Sequence, residues 1–120
     1  MKNKTFKIWT SGCAHVFADK KMGRDSLKQA IEDSENFFEW DVGLNIGDFS
    51  SAIGLPSDEE GMEVVRQFKA LKKHKREDIY TICGNHDRNS PLETEGLWFR
   101  KWIDPSVSYT HLTLPTTPYV

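Results

Sequence analysis

Three short apolar runs alternate with two amphipathic stretches along the chain. Residues 4–11 contain Phe6, Ile8 and Trp9 within a strand-length span, and that aromatic and β-branched weight predicts a strand. Val42-Gly43-Leu44-Asn45-Ile46 predicts a second strand and residues 78–83 a third, with Ile79, Tyr80 and Ile82. Between the first two strands, Asp25 or Ser26 is a suitable helix N-cap. Leu27, Ala30, Ile31 and Ser34 then follow helical spacing, with Phe37 and Phe38 just behind the helix end. Between the second and third strands, Ser57 and Glu60 form a capping-box pattern, and Asp58 and Glu59 suit the positive end of a helix. Val64, Val65, Phe68 and Leu71 form its apolar stripe, with Met62 at the edge. Lys69, Lys72, Lys73, Lys75 and Arg76 gather toward its C-terminal end, where the macrodipole favours cations. Residues 16–23 are polar and read as a loop, and residues 97–103, rich in Trp and Phe, read as a short packed helix.

The order strand, helix, strand, helix, strand predicts an α/β fold, with a parallel sheet joined by right-handed helical crossovers. No internal repeat is visible. At 120 residues the chain is one domain or part of one. Its 38% apolar and 28% charged residues are globular proportions rather than those of a disordered chain. A net charge of −2 indicates no general affinity for nucleic acid or acidic membranes. The basic run at residues 72–76 reads as a solvated helix end rather than a nucleic-acid contact. No apolar run approaches the roughly 20 residues of a membrane span, and no signal-peptide core follows the basic N-terminus. The expected setting is cytoplasmic with reduced thiols, so a disulfide between Cys13 and Cys83 is not expected.

Each predicted strand runs into a glycine and then into groups that can do chemistry. The first leads to Gly12-Cys13-Ala14-His15, the second to Gly47-Asp48, and the third to Gly84-Asn85-His86-Asp87. Carboxyl ends of parallel strands are where open α/β sheets keep their ligands. Each motif alone has a plainer account: a loop histidine, a turn aspartate, an Asx-type turn. Together, in order and after successive strands, Cys, His, Asp, Asn and His suggest a metal site. Such a site suits phosphoester hydrolysis, because two divalent ions about 3.5–4 Å apart clamp the phosphoryl oxygens and lower the pKa of water to roughly 7.

The three motifs, spanning about residues 7–103, resemble the first three signatures of the calcineurin-like metallophosphoesterases: an Asp-any-His element, a Gly-Asp and a Gly-Asn-His-Asp. The resemblance implies the βαβαβ first half of an α/β sandwich with a dimetal site on one sheet edge. It implies Asp48 as the bridging carboxylate, His15 as a ligand of the first ion and Asn85 of the second. His86 would assist the leaving group, with Asp87 supporting its imidazole and Gly47 and Gly84 forming the turns. The ions would come from manganese, iron, zinc or magnesium, and the substrate would be a phosphoester of a class the residues do not name. Oligomeric state is equally unspecified.

Two departures from the pattern matter. Cys13 stands at the usual aspartate position. A thiolate favours zinc-like or iron-like ions over magnesium, so either the first site is retuned or it is weakened and Cys13 is a small buried residue. The later histidine ligands, including a Gly-His-any-His element, are absent, and His111 is the only histidine beyond His86. The expectation is therefore that residues 1–104 are the N-terminal part of a longer phosphoesterase domain. The uncharged residues 105–120 are either an extended tail or edge strand, or foreign sequence. The alternative to catalysis is an incomplete phosphoesterase-like fold that acts, if at all, as a binding module.

Overall fold

The computed structural model describes residues 5–88 and 96–104. The uncharged tail at 105–120, with His111, and the loop around Pro91 lie outside the described residues. The elements are β1 (Ile8–Ser11), α1 (Val16–Lys21), α2 (Ser26–Phe37), β2 (Val42–Asn45), α3 (Asp58–Phe68), β3 (Ile79–Thr81) and α4 (Leu97–Trp102). Single 3-10 turns precede and follow β3, at Arg76–Asp78 and Asn85–Asp87. The sheet is parallel in the order β1-β2-β3, with Ile8 opposite Val42 and Gly43 opposite Ile79. The chain is thus a small α/β fold with the expected strand-helix alternation.

The local chemistry accounts for most of these boundaries. Ser57 caps α3: its hydroxyl accepts from the Glu60 N–H at 3.1 Å, and Glu60 accepts in return from the Ser57 N–H at 3.2 Å. The α2 helix begins after Asp25 and buries Leu27, Ile31 and Ser34. It packs on α3, which also meets α1 and α4. The shared core contains Leu27, Ile31, Phe49, Val64, Ile79, Phe99 and Ile103. Burying side chains of this kind stabilises by about 1.5–3 kcal/mol each.

Three expectations are corrected. Residues 16–23 are not all loop, because Val16–Lys21 is a helix. Six residues are too few to show a helical period; tertiary bonds define the element instead, with the Val16 N–H donating to the Phe49 carbonyl at 2.8 Å. Buried Asp19 then accepts from the Ser26 N–H at 2.6 Å, tying α1 to the start of α2. The α3 stripe is narrower than its spacing implies, since Val65 and Met62 are exposed and Leu71 lies beyond the helix end. The basic run is not a helix end either. It forms a turn whose backbone N–H groups at Lys72, Lys73 and His74 all donate to the buried Glu35 carboxylate, at 2.8–2.9 Å.

Residues of all four helices share one core with Ile79, on the sheet face that also bears Asn45 and Thr81, all three buried. Ile8 and Tyr80, on the opposite face, are half exposed, as are Ile46 and Ile82 just past the strand ends. Parallel sheets ordinarily have both faces covered; among the described residues one face of this sheet is open.

Candidate metal centre

The chemistry sits where the three strands end. Beyond Ser11 the chain continues alongside the turn that follows β2: the Cys13 N–H donates to the Gly47 carbonyl at 2.8 Å, and the His15 N–H to the Asp48 carbonyl at 3.1 Å. The turn after β3 closes on the same point. The His86 N–H donates to Asp48 Oδ1 at 3.0 Å. Two glycines permit that approach. A Cβ on Gly47, whose φ is +99°, would sit 2.6 Å from the Gly84 nitrogen and from the Ile82 carbonyl oxygen. A Cβ on Gly84 would sit 2.2 Å from Asp48 Oδ1. Gly47 is fixed from below as well, its N–H donating to the side chain of buried Asn45 at 2.9 Å.

Cys13, His15 and Asp48 each offer a ligand atom, and these three atoms lie within 4.8 Å of one another. All three residues have positive φ, 56°, 46° and 61°. For Cys this left-handed conformation costs roughly 1–2 kcal/mol, so the turn holds Cys13 against its own backbone preference, whereas His and Asp adopt it more readily. Cys13 Sγ is 4.0 Å from Asp48 Oδ2. A zinc-like ion binds sulfur at about 2.3 Å and carboxylate oxygen at about 2.0–2.2 Å, so this gap is short enough for one ion to bridge. One sulfur, one nitrogen and one oxygen donor are a chemically reasonable set for a divalent ion. The residues present fit a metal.

The His86 ring stands edge-on to the His15 ring, with centroids 5.0 Å apart. Its Nδ1 is 2.7 Å from the Ala52 carbonyl oxygen. A carbonyl only accepts, so Nδ1 carries the proton and Nε2 is left as the nitrogen open to exchange. Here the sequence reading is corrected: Asp87 does not hold the His86 imidazole. Its fully buried carboxylate instead accepts from the backbone N–H groups of Asp48 (2.8 Å), Ser50 (3.0 Å) and Gly84 (3.0 Å). One carboxylate thereby staples the β2 turn to the β3 turn. Burial pushes the Asp87 carboxyl pKa up, more than those three donors pull it down, and the neighbouring Asp48 charge adds to the rise.

The structure therefore brings together Cys13, His15, Asp48 and His86. Asn85 follows Gly84 in the same turn and is exposed. The Ala52 carbonyl that orients His86 escaped sequence reasoning, because a backbone acceptor has no residue signature. Cys83 is a different kind of cysteine: it packs against the core, and its thiol approaches the Gly84 carbonyl at 3.6 Å. Cys13 and Cys83 are not joined to each other by a disulfide. No family model matches the chain, and no curated protein or solved structure is significantly similar to it.

Proposed function

We propose that this chain carries the metal-binding first part of a phosphoester hydrolase resembling the calcineurin-like enzymes. The observation behind the reading is the meeting of Cys13, His15 and Asp48 donor atoms within 4.8 Å, beside the oriented ring of His86. His15, Asp48 and Cys13 would hold one ion, with Asn85 and the shared Asp48 serving a second. Bound divalent ions neutralise phosphoryl oxygens and make water a usable nucleophile at neutral pH. His86 handles the proton: with its Nδ1–H held by the Ala52 carbonyl, Nε2 would take up a proton from solvent and pass it to the leaving oxygen. Asp87 keeps the two turns in register and contributes no proton of its own. In the intact protein with added Mn2+ or Zn2+, nitrophenyl phosphate mono- and diesters should be hydrolysed, and Asp48→Asn should lower turnover by roughly a hundredfold or more. Undiminished activity in Asp48→Asn would remove the assignment.

A second reading is favoured by the donor count. Among the described residues, the three clustered Cys, His and Asp donors suit a fold that binds one ion without turnover. Elemental analysis separates the two readings, because close to two ions per chain is incompatible with the single-ion site.

A further inference from the structure

Resting on the reading of this cluster as a metal site, we infer that Cys13 is a thiolate ligand, which makes the cluster selective for a thiophilic divalent ion of the zinc class over Mn2+ or Mg2+. The two cysteines differ in a way that supports this. Cys83 is partly buried, packs on the core and directs its thiol at the Gly84 and Asp87 carbonyls. Cys13 is exposed, lies outside the core and faces Asp48 Oδ2 at 4.0 Å, with a His15 ring nitrogen in the same group of donors. It is therefore not the small buried residue that would replace an aspartate in a lapsed site. Its backbone is fixed by the 2.8 Å bond from its N–H to the Gly47 carbonyl, so the sulfur's place is set by the same turn that sets Asp48.

The chemistry follows from donor type. Sulfur is polarisable and forms its best bonds with Zn2+, Fe2+ or Co2+, whereas Mg2+ and Mn2+ favour oxygen. When the ion binds, the Cys13 S–H bond breaks, a sulfur–metal bond forms and one proton leaves to solvent. An aspartate at this position would add a second carboxylate and drop the soft donor. The single difference of sulfur for oxygen thus changes which ion is held, while His15 and Asp48 remain common to both cases.

The test uses metal-free intact protein titrated with Zn2+, Cd2+, Co2+, Mn2+ and Mg2+ singly, monitored by calorimetry and near-ultraviolet absorption. A Cys83→Ser background leaves Cys13 as the only thiol. Cd2+ and Co2+ should then produce sulfur-to-metal charge-transfer absorption, which disappears in the additional Cys13→Ser variant. Zn2+ binds more tightly than Mn2+ to most sites, so the decisive quantity is a ratio: the Zn2+/Mn2+ affinity ratio should fall by about tenfold or more, roughly 1.4 kcal/mol per tenfold, in Cys13→Asp. Aspartate tolerates the left-handed backbone at this position, so the variant is expected to fold, and the absorption measurement does not depend on it. Binding with no charge-transfer band and an unchanged ratio would overturn the role of Cys13 and leave metal-dependent hydrolysis standing. Failure to bind any of the five ions would overturn both.

Discussion

Replacing Asp87 by alanine tests whether one buried carboxylate assembles the site. The side chain is fully buried and accepts three backbone N–H groups from two different turns. Bonds to a charged acceptor contribute about 1.5–3 kcal/mol each, and a buried donor left without a partner costs about 1–3 kcal/mol. Against this, alanine removes the penalty of burying a carboxylate, the same effect that pushes the Asp87 pKa up. The net loss should be about 2–4 kcal/mol. In a domain of this size each kcal/mol moves the melting temperature by about 4–8 °C, so a fall of roughly 10–25 °C is expected. Because the freed N–H groups belong to Asp48, Ser50 and Gly84, metal affinity should fall as well, by about 10–100-fold, as for other residues that orient ligands. Asp87→Asn keeps one acceptor oxygen but turns an amide NH2 toward the same donors, and it should fall between the two. Thermal denaturation with zinc calorimetry on the three proteins provides the check. If Asp87→Ala melts within about 3 °C of the parent, the turns hold themselves and the staple is not what organises the site.

Other substitutions probe different parts of the structure. Gly47→Ala places a Cβ 2.6 Å from the Gly84 nitrogen at a φ of +99°; it should cost about 2–4 kcal/mol, read as a lower urea midpoint, and weaken metal binding in parallel. Gly61→Ala sets two effects against each other. Helix propensity favours alanine by about 1 kcal/mol, but the new Cβ would lie 2.2 Å from the Trp102 ring; denaturation should show net destabilisation of about 1–2 kcal/mol. The Arg66 guanidinium hydrogen-bonded to Glu63 holds its carboxyl at about 2, below the ordinary 4.5. A depressed acid contributes stability above its unfolded pKa and loses it as pH falls through the folded one. Glu63→Gln should therefore cost about 1 kcal/mol near pH 7, a figure reduced for the half-exposed Arg66 and Lys20. The difference should shrink between pH 4.5 and 2, as urea midpoints across that range will show.

The sequence by itself determined the alternation of strands and helices and the strand ends that carry polar groups. Those features are local: the Ser57–Glu60 capping pair declares the start of α3, and the glycines at 47 and 84 declare turns before Asp48 and Asn85. Its motif residues also identified three members of the donor cluster, because parallel strands deliver their ends to one edge wherever the sheet forms. What the tertiary structure decided depends on contacts between distant segments. The α1 helix is too short to announce itself and is defined by a bond to Phe49. The basic run at 72–76 has the charges of a helix end, yet its course is set by Glu35, some 37 residues earlier. Asp87 reads as a partner for its neighbour His86, but its carboxylate goes to three backbone N–H groups and His86 turns to the Ala52 carbonyl. The physical reason is the same in each case. A buried polar group goes to whichever donor or acceptor the packed chain leaves within reach, and only the three-dimensional arrangement specifies which one that is.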